Sequence, residues 1–242
     1  MTDQLLVDVG NSRCKWWLQR GAKLLASAHC ISSPEALADS LQSAAVFAPL
    51  AALASVEDPA ADPEYTSAIS RATGAEVRIC RTTRHCLGLT NSYAEPQSMG
   101  VDRWLAMLAA WRPHPRAVCV VDAGTALTID LVAASGQHEG GFIVPGPRLM
   151  QESLTARAQR IAVTPLDHAT LAPGRSTRAC VGEGAWLAAI GALREITRRY
   201  PDHQLVVTGG DGQQLLQQGF NGEWRPALVR EGLSLWLQAA SD

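Results

Sequence analysis

The run Leu5-Leu6-Val7-Asp8-Val9-Gly10-Asn11-Ser12 reads as a buried strand that ends in an acid and breaks into a turn. Cys14 to Leu18 follows at once as a second strand candidate, so the pair predicts a hairpin around Gly10-Asn11. Far downstream the same pattern returns. Ala117 to Val121 is apolar, Asp122-Ala123-Gly124-Thr125-Ala126 closes it, and Leu127 to Val132 continues as another strand. The shared template (apolar strand, Asp-x-Gly-[Asn/Thr]-[Ser/Ala], apolar strand) predicts two related halves, residues 1–114 and 115–242, with a boundary near Pro113-His114-Pro115.

Helices fit between these strands. Trp104, Met107, Leu108 and Trp111 recur at helical spacing and give Arg103–Trp111 one apolar face. Gly184–Arg199 carries a second such face and ends in basic residues before Pro201. Glu231–Ala240 is a third amphipathic segment, and Leu205-Val206-Val207 is a short buried strand running into Thr208-Gly209-Gly210-Asp211. Strands alternating with helices predict an α/β architecture.

Composition narrows the class. With 242 residues, 47% hydrophobic and 18% charged, the chain has enough apolar side chains for one large or two compact cores. A net charge of -2 without a run of like charges argues against a nucleic-acid or anionic-membrane partner. Met-Thr-Asp-Gln before the first apolar run lacks the features of a secretory signal, and the longest apolar tract, Ala44–Val56, is interrupted by Pro49 and too short for a bilayer. The expectation is a cytoplasmic protein whose six cysteines, none in a Cys-x-x-Cys pair, are reduced and structural.

The chemistry-bearing residues cluster in a few short stretches. A glycine turn lets backbone N–H groups approach a phosphate and form an anion-binding nest. Asn11, Ser12 and Thr125 add short donors at the two turns, and Lys15 adds a charge for a phosphate oxygen. Asp8 and Asp122 sit at strand ends, where a carboxylate suits a hydrated cation that bridges phosphates. Either turn alone is more often an ordinary hairpin whose Asp accepts turn hydrogen bonds; two copies ending matched strands shift the weight toward phosphate binding. Gly209 and Gly210 after a buried strand permit close approach to a flat ligand such as adenine, or simply a tight connection. Walker-type and dinucleotide-binding glycine loops are lacking. Gly100-Val101-Asp102-Arg103 precedes the Trp104 helix: Asp102 is either a helix-start acid or a base for a substrate hydroxyl, and Arg103 has the forked donors for a carboxylate or phosphate. Gly140-Gly141-Phe142-Ile143-Val144-Pro145-Gly146 reads as a sharply bent segment.

In order and spacing these stretches resemble the type III pantothenate kinase family of the acetate and sugar kinase, Hsp70 and actin superfamily. Asp8 to Ser12 with Lys15 is similar to its first phosphate motif, and Asp122 to Ala126 with Asp130 to its second. Thr208 to Asp211 is similar to its adenosine motif, Gly100 to Arg103 to its pantothenate motif, and Gly140 to Gly146 to its Gly-Gly bend. The resemblance covers almost the whole chain. It implies two ribonuclease-H-like domains of the actin-like ATPase fold, with an interdomain nucleotide cleft, and a homodimer.

It further implies phosphorylation of pantothenate by ATP, the first step of coenzyme A biosynthesis, with Mg²⁺ accompanying ATP and K⁺ or NH₄⁺ as a monovalent cation. Asp8, Val9, Gly10, Asn11, Ser12, Arg13, Cys14, Lys15 and Thr125 would hold the ATP phosphates, Gly209 and Gly210 the adenosine, and Asp122 the monovalent cation. Asp102 would be the base, within a pantothenate pocket of Tyr93, Gly100, Val101, Asp102, Arg103 and Thr177. One departure is visible: Gly174-Arg175-Ser176-Thr177 has serine where the family usually has asparagine. Two rival readings share the fold, a nucleotide-binding regulatory protein accessory to transcription and a kinase for another small acceptor. The polar positions that chemistry needs are all filled, which favours the pantothenate kinase.

Overall fold

The structure is a computed structural model that describes residues 2–157, 165–167 and 170–240. Two compact units divide the chain, Met1–Ala109 with Ala227–Asp242, and Ala110–Pro226.

The first unit opens with β1 (Asp3–Val9), β2 (Arg13–Arg20) and β3 (Lys23–Ile31), which form an antiparallel meander. Helix α1 (Pro34–Ser43) follows, its first turn capped by Ser33, whose hydroxyl accepts the Ala36 N–H at 3.1 Å. β4 (Leu50–Ser55), α2 (Asp62–Thr73) and β5 (Glu76–Cys80) complete a five-stranded sheet of order β3-β2-β1-β4-β5, in which β4 lies parallel to both neighbours. A small hairpin of β6 (His85–Cys86) and β7 (Leu89–Thr90) precedes α3 (Val101–Trp111). Period-two alternation along β1 sends Leu5, Val7 and Val9 into one core with Trp16, Leu37 and Tyr65, and Leu6 into another with Ala52, Ala54 and Leu105. Trp16 and Trp17 accordingly split between the two faces, the first fully buried and the second half-buried.

The second unit repeats the plan. β8 (Val118–Ala123), β9 (Ala126–Val132) and β10 (His138–Pro145) form the meander, followed by α4 (Pro147–Arg157), α5 (Thr177–Arg199), β11 (Gln204–Thr208), α6 (Gly212–Leu216) and β12 (Gly222–Trp224). The sheet order β10-β9-β8-β11-β12, with β11 parallel to β8 and β12, is that of the first unit. The self-similarity expected from two Asp-x-Gly turns therefore extends to the topology of both sheets. The segment expected to be sharply bent is instead mostly the strand β10, with a bulge at its start where Gly140 has φ +116, and Gly146 follows its end.

The C-terminal helix α7 (Leu228–Ala239) belongs to the first unit. Leu233 and Leu237 enter its core, each contributing about 1.5–3 kcal/mol on burial, and Gln19 on β2 donates to the Ser234 hydroxyl at 2.8 Å. Close approach fixes one further residue: a Cβ at Gly232 would overlap the carbonyl of Leu105 on α3, with its carbon only 2.6 Å away. Both sides of that contact are helix backbone, so neither yields cheaply.

Gly232→Ala is therefore expected to destabilise the protein by roughly 1–3 kcal/mol, read as a lowered denaturant midpoint. Gly191→Ala on α5, where an added Cβ meets nothing within 4 Å, is the matched control and is expected to be neutral or slightly stabilising.

Candidate active site

Each unit presents its Asp-x-Gly turn at the end of its central strand. In the first, Asp8 is the penultimate residue of β1 and only 7% exposed, while Gly10, half-buried, closes the turn by donating its N–H to Arg13 O at 3.0 Å. Asn11, Ser12 and Arg13 lie exposed at the tip; Val9 and Cys14 face the core. Lys15 stands directly opposite Asp8 across the β1–β2 pair, so the cation and the carboxylate share one face of the sheet.

Behind this turn lies a polar group that sequence reasoning missed. The Ser32 hydroxyl sits 2.8 Å from both Gly10 O and Glu57 Oε1, and the Tyr65 hydroxyl donates to Glu57 at 3.2 Å. One hydroxyl proton serves one acceptor at a time, so Ser32 links the turn to Glu57 by alternation. The Cys14 sulfur lies 3.7 Å from Ser32 Oγ, and burial pushes its thiol up to about 11. Cys14 is thus a packed, protonated wall of the turn. Ser32 follows β3, Glu57 lies in the loop after β4 and Tyr65 on α2, and no local pattern marks them.

In the second unit, Gly124 N–H donates to Ala126 O at 3.0 Å, leaving Thr125 exposed and Asp122 half-buried. The strand pairing sets Thr208 beside Asp122, and the Asp211 N–H donates to Ala123 O at 3.0 Å. The two stretches singled out in the sequence are therefore stitched together. Gly209 has φ +88, and a Cβ there would overlap Asp122 Oδ1 and the Ala123 carbonyl. The Asp122 carboxylate thereby lies against glycine backbone, and its oxygens, like those of Asp8, suit a hard cation. Asp211 is half-buried, and burial chiefly, then the Asp167 charge, raises its carboxyl above the usual range against the opposing effect of Arg148. Asp130, 2% exposed, shares the Asp122 face and bonds His138 Nε2 at 3.1 Å. Gly146 N–H donates to Thr125 O at 2.9 Å, and a Cβ on Gly146 would overlap Gly124 O and lie 2.8 Å from Thr125 O. The Gly140–Gly146 segment is thus the buttress of the second turn.

The residues expected to receive the acceptor fall mainly in the first unit. Val101 is buried at the start of α3, and Asp102 in its first turn accepts the Arg103 N–H on Oδ1 at 2.8 Å, with the bare Cα of Gly100 leaving room for that oxygen. Arg103 is only 6% exposed; its Nη1 donates to the Tyr93 hydroxyl at 3.0 Å, and its guanidinium carbon lies 5.8 Å from the Tyr93 ring centre. Tyr93, named only through the family resemblance, thus lies against Arg103, and Asp102 is the residue before that arginine. Thr177 belongs to the other unit. It is exposed at the first position of α5, after the capping Ser176, and borders a cavity of about 330 Å³ with Met150, Leu154, Cys180, Val181, Gly184 and Ala185.

A model of the type III pantothenate kinase family matches residues 4–199. Among curated relatives, the type III pantothenate kinase of Halorhodospira halophila is 36% identical over 249 residues, spanning 96% of this chain and 97% of the relative. That of Marinobacter nauticus is 33% identical over 238 residues, spanning 95% and 96%. Solved structures extend the likeness of fold. Component A of the (R)-2-hydroxyglutaryl-CoA dehydratase of Acidaminococcus fermentans superposes with TM-score 0.58 at 10% identity, covering all of both chains. MreB 5 of Spiroplasma citri, bound to AMPPNP, superposes with TM-score 0.51 at 10% identity, covering 100% and 97%.

Gly146→Ala is expected to push the Thr125 turn away from β10, at a cost of roughly 1–3 kcal/mol in a denaturation experiment. Hydrogen exchange at the Gly124 and Thr125 amides should rise in the same variant. Unchanged exchange there would mean that the turn is held by something other than this buttress.

Proposed function

The chain belongs to the type III pantothenate kinase family, and from that premise we propose how its residues divide the transfer of a phosphoryl group from ATP to pantothenate in coenzyme A biosynthesis. The family match selects the kinase over the regulatory reading. The Asp8–Lys15 turn and Thr125 hold the phosphates of ATP, with backbone N–H groups as the main donors and Lys15 as a charge set beside Asp8. Gly209 and Gly210 lie against the adenosine. Magnesium would be held through the Asp8 carboxylate and a monovalent cation, K⁺ or NH₄⁺, through Asp122. The donor sets fit, being acceptor-only oxygens at strand ends beside glycine backbone. Such ions, when bound, neutralise charge on the phosphate oxygens.

The observation that carries the acceptor side is the Tyr93–Arg103–Asp102 cluster. A guanidinium that is 6% exposed and held by a tyrosine hydroxyl is pre-set to fork onto the carboxylate of pantothenate. Asp102, the residue before it, then takes the proton of the acceptor hydroxyl as that oxygen attacks the γ-phosphorus in line and ADP leaves. Phosphoryl transfer requires little covalent help from the protein, so the chain's contribution is placement and charge. Gly100 and Val101 form the adjoining wall of the pocket.

Thr177 enters this reading as part of a homodimer. The second unit exposes Phe142 and Ile143 on β10, Leu149 and Leu154 on α4 and Leu187 on α5, and α4 packs on both neighbours. These exposed apolar side chains on the unit that carries Thr177 suit burial against a second copy of the chain. No helix among the described residues is long and apolar enough to cross a membrane, and a cytoplasmic location fits an enzyme drawing on ATP.

Asp102→Asn is expected to keep ATP and pantothenate binding while turnover falls by about 10²–10⁴-fold, measured as pantothenate-dependent ADP release. Full turnover in that variant would remove Asp102 from the role of base. In sedimentation experiments Ile143→Asp combined with Leu187→Asp should shift a dimer toward monomer; an unshifted dimer would place the interface elsewhere.

A further inference from the structure

Arg84 takes no part in the motifs, yet its guanidinium reaches three backbone carbonyls of the segment that carries Tyr93. Its Nη1 donates to Asn91 O at 3.0 Å and to Tyr93 O at 2.6 Å, and its Nη2 donates to Ala94 O at 2.8 Å. Its own carbonyl accepts the Asn91 N–H at 2.9 Å. The segment it grips, residues 91–95, has no helix or strand of its own, so its carbonyls lack ladder partners. The same segment is braced from inside: Asn91, 1% exposed, accepts the Tyr93 N–H on Oδ1 at 2.9 Å.

We propose that Arg84 is a positioning residue for the acceptor pocket, one guanidinium clamping the carbonyls of Asn91, Tyr93 and Ala94 so that the Tyr93 hydroxyl is presented to Arg103. This rests on the reading of Tyr93 and Arg103 as the groups that receive a carboxylate-bearing acceptor. The chain of contacts is continuous: Arg84 to the Tyr93 backbone, the Tyr93 hydroxyl to Arg103, and Arg103 adjoining Asp102. Arg84 is exposed, so its removal opens no core cavity, and its role is to restrict where a loop sits. Lysine is a poor substitute, because a single ammonium cannot span three carbonyls with the planar fork that a guanidinium offers.

The test is steady-state kinetics on Arg84→Ala and Arg84→Lys, with Tyr93→Phe and Arg103→Ala as references. Arg84→Ala is expected to raise KM for pantothenate about tenfold, with kcat within about twofold and KM for ATP unchanged, the pattern of lost acceptor binding. Arg84→Lys should recover only part of that loss. Adding Tyr93→Phe to Arg84→Ala should raise KM by less than the product of the two single effects, since both act through one hydroxyl. Hydrogen exchange at residues 91–95 should rise in Arg84→Ala whatever the acceptor proves to be. If Tyr93→Phe and Arg103→Ala leave KM for pantothenate untouched, the reading of the pocket fails and the proposal with it. If those two raise KM while Arg84→Ala does not, or if Arg84→Ala lowers kcat and ATP binding together, the positioning role alone is overturned. Unaltered exchange at 91–95 would overturn the clamp itself.

Discussion

In each unit one carbonyl oxygen decides where chemistry is possible: the last of the central strand, Val9 O in the first and Ala123 O in the second. Each accepts an N–H from the loop that follows the neighbouring parallel strand, from Val56 and from Asp211, both at 3.0 Å. That single bond draws two loops to the same strand end. It brings Glu57 close to the Gly10 turn, and Gly209 against the Asp122 carboxylate. Backbone sets this geometry, which is why the turns tolerate exposed side chains such as Asn11, Ser12 and Thr125 at their tips. If these turns receive phosphate, as proposed, strand pairing has fixed their backbone before any ligand arrives.

The acceptor side is built on the opposite principle. On the proposed acceptor side the side chains are the working groups: Asp102 and Arg103 stand in the first turn of α3, and Tyr93 on the segment before it, which has only a two-stranded hairpin and one turn of 3₁₀ helix, Pro96–Ser98. Such a segment has too little ladder to hold itself, and its order comes from side chains reaching back to backbone. Arg84 serves three carbonyls, the buried Thr82 hydroxyl donates to Met99 O at 3.0 Å, and Asn91 braces Tyr93. Side-chain bonds of this kind are individually modest, about 0.5–1.5 kcal/mol net, and cooperate only when all are made.

These two construction principles explain what the amino-acid order revealed. The hairpin at Gly10-Asn11, its copy at Gly124, and the helices bearing Trp104 and Trp186 rest on local periodicity and turn chemistry, and all are present in the structure. Helix α5 begins seven residues before the expected Gly184, because the capping Ser176 outweighs the two glycines inside its first turns. Strand β10 was hidden by its glycines, which read as a bend until the β9 partner is known. Ser32, Glu57, Arg84 and the buttress at Gly146 act across long sequence separations or through backbone acceptors, which carry no residue signature. Tyr93 was accessible only through resemblance, since a lone tyrosine in a polar stretch announces nothing.

The repeated and unrepeated parts of the molecule divide in the same way. Both units share strand order, turn and cross-loop bond, and that common apparatus is suited to a nucleotide whose phosphates look alike in every kinase of the fold. Residues 81–100, between β5 and α3, have no counterpart after β12, the matching strand of the second sheet, where only Arg225, Pro226 and Ala227 precede α7. On the proposed reading, this unrepeated segment, through Tyr93, is the one that meets the acceptor. A fold with duplicated halves can therefore change its acceptor by altering one insertion, while the paired strands that aim the phosphate-binding turns remain under the constraint of their own hydrogen bonds. On the proposed division of roles, acceptor choice lies where the structure is held by side chains, and phosphate binding where it is held by backbone.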